Sequence, residues 1–254
     1  MVHEVAQRGF GREADIYERS RPSYPPDAVS WLAEQLGLRP GVTLADLAAG
    51  TGKLTRLLVP TRSHLVAIEP VPAMREVFRR VLPQVPVVAG TAEALPLRTS
   101  SLDAVTVAQA FHWFDAKSAF AELARVLRRG GGVGLVWNAR DRSVDWVDRA
   151  WSIMDRVETE APWRDHENWR DSTFEHSVGF AAVEHATFHH GQTCTPTEVI
   201  ERFRGVSHVA ALDPREQAEI LGQVRELLAT HPDTRGRREL RIPYLVDCFA
   251  FRRG

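Results

Sequence analysis

The stretch Leu44-Ala45-Asp46-Leu47-Ala48-Ala49-Gly50-Thr51-Gly52-Lys53-Leu54-Thr55 decides the fold. Its first half is short and apolar, the pattern of a buried parallel strand. The pattern breaks at Gly50 and Gly52 and resumes as Leu54, Leu57 and Leu58 at helical spacing. The succession is a strand, a tight glycine turn and a helix start. Glycine lets the backbone take torsions that other residues resist and lets a ligand approach closely. The helix N-terminus adds unpaired N–H groups and a partial positive charge. A dinucleotide or nucleoside cofactor is the usual guest of such a turn.

Three more stretches repeat the strand signal. His64-Leu65-Val66-Ala67-Ile68-Glu69 is an apolar run ending in an acid, placed to accept hydrogen bonds from both hydroxyls of a ribose. Val87-Val88-Ala89-Gly90 reads as a third strand, with Glu93 in the loop beyond it, where a carboxylate or backbone groups could hold an adenine amino group. Leu102–Ala108 is a fourth, running through Gln109 into the aromatic start Phe111-His112-Trp113-Phe114.

Taken together these residues resemble the class I S-adenosylmethionine-dependent methyltransferases, and more closely the small-molecule branch that includes trans-aconitate-type enzymes. The matching pieces are Asp46-x-x-x-Gly50-Thr51-Gly52, Ile68-Glu69-Pro70, Gly90-Thr91-Ala92-Glu93-Ala94-Leu95-Pro96, Ala110-Phe111-His112-Trp113-Phe114 and Val126-Leu127-Arg128-Arg129-Gly130-Gly131. Each is weak alone; their order and spacing over residues 40–138 are specific. The resemblance implies an α/β fold: a Rossmann-like, seven-stranded, mostly parallel sheet with helices on both faces, a helical lid, and a last strand antiparallel between the fifth and sixth. It implies S-adenosylmethionine as cofactor and S-adenosylhomocysteine as product. Asp46, Ala48, Gly50, Thr51 and Gly52 would surround the methionine end, Glu69 the ribose, Ala92 and Glu93 the adenine, with Gln109 at the fourth strand end. Ala48 departs from the family, which commonly has the first glycine of the turn there; a slightly altered turn is the expectation.

The resemblance also implies that an N-terminal pattern, Ala14, Tyr17, Arg21, Pro22, Tyr24 and Pro25, covers the cofactor. Arg21 could bind the methionine carboxylate at two points and Tyr17 could add a hydroxyl contact. The alternative is a surface arginine and a packing tyrosine. His112 has three readings: a general base, since an unperturbed imidazole titrates near pH 6.5, a pocket-lining residue, or a packing residue under Trp113. Relatives often carry Gln there, and Gln is no base at neutral pH. Trp113, Asn138 and Trp146 complete the expected substrate pocket.

The chain's 254 residues suffice for one large domain with an insertion, and its 44% hydrophobic and 26% charged residues are ordinary for a soluble protein. The net charge of −1 suggests no electrostatic grip on nucleic acid. Cys194 and Cys248 are far apart and lack metal-ligand spacing, so a reduced, cytoplasmic protein without metal is expected. His189 and His190 have no partner at ligand spacing. No apolar run approaches the roughly 18 residues that span a membrane. Nothing in the sequence sets the oligomeric state.

Four segments are expected: N-terminal cap helices over 1–39, a cofactor-binding core over 40–140, a helical lid over 141–178, and C-terminal strands with inserted helices over 179–254. The N-terminal helices are read over 13–18 and 27–36, with Asp27 as a cap if Pro26 lies outside the helix. Strands are expected near 42–48, 64–69, 85–89, 102–108 and 132–137, helices near 53–59, 72–82 and 117–128. The alternation implies parallel pairing with right-handed crossovers. Gly130-Gly131-Gly132 reads as a left-handed helix cap and tight turn. The lid segment holds four of the seven tryptophans in the chain, Trp146, Trp151, Trp163 and Trp169; the first two fall on an amphipathic helix over about 144–160 that Pro162 breaks. A sixth strand is expected over 180–189, a polar loop over 191–197, helices over 196–204 and 214–229, and a closing strand over 239–251.

The expected activity is methyl transfer to a small organic acceptor, on oxygen or nitrogen, a carboxylate or hydroxyl among the candidates. A nicotinamide oxidoreductase would need a third glycine after the turn, and Lys53-Leu54-Thr55 provides none. A methyltransferase of protein or RNA, or a cofactor-binding protein without methyl transfer, are the remaining alternatives.

Overall fold

The computed structural model describes residues 14–155, 176–206, 209–210 and 212–254, the side chains of 15–17 and 182–183 excepted. Strand β1 (Thr43–Leu47) is buried along nearly its whole length, which is why its sequence is apolar rather than alternating. It pairs in parallel with β2 (His64–Ile68) on one side and β4 (Leu102–Ala108) on the other. The short β3 (Val87–Val88) lies beside β2, and β5 (Leu127–Arg140) beside β4, both parallel. The last strand, β7 (Leu240–Arg253), runs antiparallel between β5 and β6 (Phe180–Cys194). The seven-stranded order is β3-β2-β1-β4-β5-β7-β6. The order reverses between β1 and β4, and the crevice outside the carboxyl ends of those strands is where open α/β sheets bind ligands.

Helices α1 (Ala14–Ser20) and α2 (Pro26–Gln35) precede the sheet. Next come α3 (Thr55–Leu58), α4 (Pro72–Val81) and α5 (Ala116–Val126). Helices α6 (Asp145–Asp155), α7 (Pro196–Arg204) and α8 (Pro214–Thr230) follow β5 and β6. Several begin on side-chain caps. Asp115 accepts from the Ser118 amide at 2.8 Å, and Thr195 with Glu198 forms a reciprocal capping box. On one face of the sheet, Leu47, Val105, Leu135 and Phe251 pack under Phe120 and Leu123 of α5. On the other, Leu44, Val136 and Val246 pack against Leu32 of α2 and Leu36 at its C-terminal cap. A further core joins α6, α7 and α8 to the far ends of β6 and β7 through Trp151, Phe203, Val224 and Tyr244.

The structure departs from the sequence expectation at the start of α2, at the glycine run and along β6. Pro25, not Asp27, is the N-cap of α2, because Pro26 already occupies its first turn. Gly130–Gly132 is not a helix cap: α5 ends with Leu127 extended, and the glycines sit inside β5, where its register against β4 shifts. A Cβ at Gly131 would stand 2.9 Å from the Arg128 carbonyl oxygen, so the bulge excludes a side chain. Strand β6 continues through the expected polar loop to Cys194, because its backbone pairs with β7 as far as Leu240. The helix expected in the lid, α6, is described to Asp155. Its expected continuation to residue 160, the break at Pro162, and Trp163 and Trp169 lie outside the described residues.

Candidate functional site

The turn after β1 is built from left-handed backbone. Ala48, Gly50 and Gly52 have φ of 52°, 58° and 86°. An L-residue in that region costs roughly 1–2 kcal/mol, the physical reason a glycine suits position 48. Ala48 nevertheless takes the conformation, and the turn stays closed by Gly52 N–H donating to Ala49 O at 2.9 Å. The two glycines do different work. At Gly50 a Cβ would meet nothing within 4 Å, so bare backbone faces open space. At Gly52 it would stand 2.5 Å from Leu82 Cδ1 and 2.9 Å from Phe78 Cε2, so that glycine admits the close packing of α4.

Glu69 lies one residue past the end of β2 and is 4% exposed. Its Oε2 accepts from the Gly50 amide at 2.8 Å and its Oε1 from the Val71 amide at 2.8 Å. The acid therefore ties the glycine turn to the start of α4, and each oxygen keeps further lone-pair capacity for a ligand hydroxyl. Burial raises its pKa from 4.5 to about 6, against those two amide bonds.

Asp46 is 1% exposed. Its oxygens accept from the hydroxyls of Thr55 and Thr106, the latter at 2.8 Å. Those bonds fasten β1 to α3 and to β4 directly below the turn. Burial lifts its pKa from 3.8 to about 6, opposed by the hydroxyls of Thr55 and Thr106. Thr51 is buried, and its Oγ1 has no hydrogen-bond partner among the described residues.

Beyond β3, Ala92 is buried in the core and the half-buried Glu93 accepts from the Asp115 amide at 3.2 Å. Gln109 follows β4 with a left-handed φ of 56°, its amide donating to Val136 O at 2.9 Å. Such non-glycine strain clusters at functional sites. A 3-10 turn, Phe111–Trp113, then places the half-buried His112 with its ring centroid 5.1 Å from that of Trp113.

Residues 20–25 form a strap over the strand ends. Asn138 Nδ2 donates to Ser23 O at 3.1 Å, Gln192 Nε2 to Ser20 O at 3.0 Å, and Arg21 Nη2 to Gly205 O at 3.1 Å. Tyr17 is in α1, with its side chain outside the described residues. Glu69, Gln109 and Asn138 thus lie just past or at the carboxyl ends of β2, β4 and β5, beside the Ala48–Gly52 turn. Trp146, expected in the pocket wall, is a packing residue: it is buried with Trp151 and Phe203 in the core of the inserted helices.

The sequence reading passed over Thr55, Thr106, Glu18, Lys53 and Arg202. Lys53, the residue after Gly52, was legible by position. The others depend on pairings that no local pattern encodes. Arg56 Nη2 bonds Glu18 Oε1 at 2.7 Å, and Lys53 Nζ lies 4.0 Å from Glu18 Oε2. Among the described residues no group of three or more His, Cys, Asp or Glu could hold a metal ion, and no helix is long and apolar enough to cross a membrane.

Comparison with known proteins bears on the family and the fold. Residues 45–134 match the model of a methyltransferase domain. An uncharacterized methyltransferase of Mycobacterium tuberculosis is 40% identical over 239 residues, covering 94% of this chain and 93% of the relative. A methyltransferase-like protein of Schizosaccharomyces pombe is 29% identical over 251 residues, covering 98% and 97%. Among solved structures, a type II methyltransferase candidate from Anaeromyxobacter dehalogenans superposes with a TM-score of 0.69 at 24% identity, over 92% of this chain and 97% of that one, which speaks to the fold. These relatives add nothing to the finer resemblance to trans-aconitate-type enzymes. The chain belongs to the class I S-adenosylmethionine-dependent methyltransferases and is a methyltransferase.

Proposed function

We propose that the protein moves the methyl group of S-adenosylmethionine to a small organic acceptor held between the strand ends, the strap and the inserted helices. The observation that carries this reading is the pairing of the open, left-handed Gly50 with the buried Glu69 that bonds its amide. Glu69 would accept the ribose hydroxyls while keeping Gly50 in place. Thr51, with a buried hydroxyl still unspent, and Ala48 would line the same turn. Asp46 would act beneath it, since both its oxygens already hold Thr55 and Thr106. Ala92 and Glu93 would flank the adenine, and Gln109 the junction between cofactor and acceptor. Arg21 and Tyr17 would close the methionine end from the strap side.

When bound, S-adenosylmethionine supplies a methyl group on a cationic sulfur that leaves as a neutral thioether. The residues need only hold the acceptor atom in line with that bond. Such positioning can contribute on the order of 7–11 kcal/mol. An aromatic face such as that of Trp113 favours a nearby cation. A carboxylate acceptor attacks without losing a proton, whereas an alcohol or phenol needs a base. His112 lies in the 3-10 turn that follows β4, and we assign it to the acceptor pocket.

The test is transfer of radiolabelled methyl from S-adenosylmethionine to panels of small acids, phenols and amines, with tRNA and a mixed protein fraction in parallel. Label on a small molecule supports the proposal. Label confined to tRNA or protein, or none with any acceptor despite cofactor binding, would overturn it.

A further inference from the structure

Arg202 is 3% exposed, yet its Nε and Nη1 have no hydrogen-bond partner among the described residues. A guanidinium taken out of water is retained only against an anion or a set of acceptors. Arg202 sits in the last turn of α7, and α1 lies against that helix. Through Glu18 the same helix α1 reaches Lys53, the residue that follows the glycine turn, at 4.0 Å. Burial and the positive charges of Arg56, Arg21 and Arg202 lower the pKa of Lys53, while Glu18 opposes them. Lys53 and Arg56 flank the Glu18 carboxylate, at 4.0 and 2.7 Å, and the charges of Arg21 and Arg202 act on Lys53 beside it. Arg21 extends its own guanidinium from the strap to Gly205 O, three residues beyond Arg202. Of the other unspent polar atoms nearby among the described residues, Ser20 Oγ and Thr51 Oγ1 are hydroxyls able to donate, and Glu18 Oε2 is the one acceptor among them.

We infer that Arg202, with Lys53 and Arg21, forms a carboxylate-binding corner beside the cofactor turn. The inference rests on the cofactor reading above and deepens it. A carboxylate accepts only, carries one negative charge, and matches a corner in which Lys53, Arg56, Arg21 and Arg202 outnumber the single carboxylate of Glu18. Two sources offer that group: the amino-acid end of the cofactor, and an acidic acceptor. On the second source the acceptor would be an organic acid.

Calorimetric titration of the full-length wild type and Arg202→Met separates them. Methionine keeps length and apolar volume while removing the charge. The first arm compares S-adenosylhomocysteine with 5′-methylthioadenosine, which has the same nucleoside and thioether but no amino-acid carboxylate. The second titrates the S-adenosylhomocysteine-loaded proteins with malonate and tricarballylate. We expect equal methylthioadenosine affinity in both proteins and a loss of tenfold or more in one arm. Loss for S-adenosylhomocysteine assigns the corner to the cofactor; loss for the added acids assigns it to the acceptor. Arg202→Lys, which keeps the charge, should recover part of the lost affinity and serves as the folded alternative if the methionine variant does not fold. S-adenosylhomocysteine affinity within twofold of the wild type, with the added acids bound equally by both proteins or by neither, would overturn the inference. Methylthioadenosine binding reports separately on the cofactor reading, which fails only if the wild type binds neither nucleoside.

Discussion

Lowering the pH should weaken cofactor binding through Glu69. Its carboxyl titrates near 6 because burial opposes the charge more than the amides of Gly50 and Val71 support it. Above that pH it is a carboxylate with lone pairs to spare for ribose hydroxyls. Below it, one oxygen carries a proton and ceases to be a full acceptor. If only the ionised form binds, affinity for S-adenosylhomocysteine falls about tenfold from pH 7.5 to 5, or about 1.4 kcal/mol. Stability of the unliganded protein should move in the opposite direction. A folded pKa raised above the unfolded 4.5 favours the fold fully below that value, and the contribution is lost as pH rises through about 6. The 1.5-unit difference between those values corresponds to about 2 kcal/mol. The assay is calorimetric titration across this range, with thermal unfolding of the unliganded protein in the same buffers. Glu69→Gln, which has no charge to lose, should bind at least tenfold more weakly at pH 7.5 and show a flat affinity profile. A wild-type profile that is flat, or one that Glu69→Gln reproduces in slope, would refute the reasoning.

Asp46→Asn keeps acceptor and donor positions for the hydroxyls of Thr55 and Thr106 but carries no charge. The wild type should therefore lose stability relative to the variant by about 2–3 kcal/mol as pH rises from 4 to 7, read by urea unfolding. Gly50→Ala and Gly52→Ala should separate binding from folding. The first adds a methyl to open space at a strained φ, costing about 1 kcal/mol of stability while blocking S-adenosylhomocysteine. The second drives a Cβ into Leu82 and Phe78 and should cost about 1–3 kcal/mol or more, read by thermal unfolding. Once an acceptor is known, His112→Gln should change KM more than kcat and leave the pH–rate profile unchanged. A loss of kcat by about 10²-fold or more would instead make His112 the base.

The core of the sheet was readable because its signals are local. The apolar run Leu44–Leu47, the break at Gly50 and Gly52, and the acid Glu69 after Ile68 each carry their meaning within a few residues. The helix starts near 196 and 214 were of the same kind, and the structure caps them with Thr195 and Asp213, neighbours in sequence of the amides they hold. What the chain concealed depends on distant partners. The far half of β6 is polar and became strand only through its ladder with β7. The glycines at 130–132 resembled a cap because the bulge they permit is defined by β4. The bond between Asp46 and Thr106 exists only because β1 and β4 are neighbours in the sheet. Trp146 has the pattern of any amphipathic helix, and burial among α7 and α8 made it a packing residue. Arg202 was passed over because its burial depends on α1 packing against that helix and on the strap bonding to Gly205.

The most direct measurement is titration of the purified wild type with S-adenosylmethionine and S-adenosylhomocysteine, with NADH as control. The account predicts saturable one-site binding of both sulfur compounds and none of NADH. Absence of binding by either sulfur compound in a folded protein, or preference for NADH, would contradict the assignment of the Ala48–Gly52 turn and Glu69 as the cofactor site.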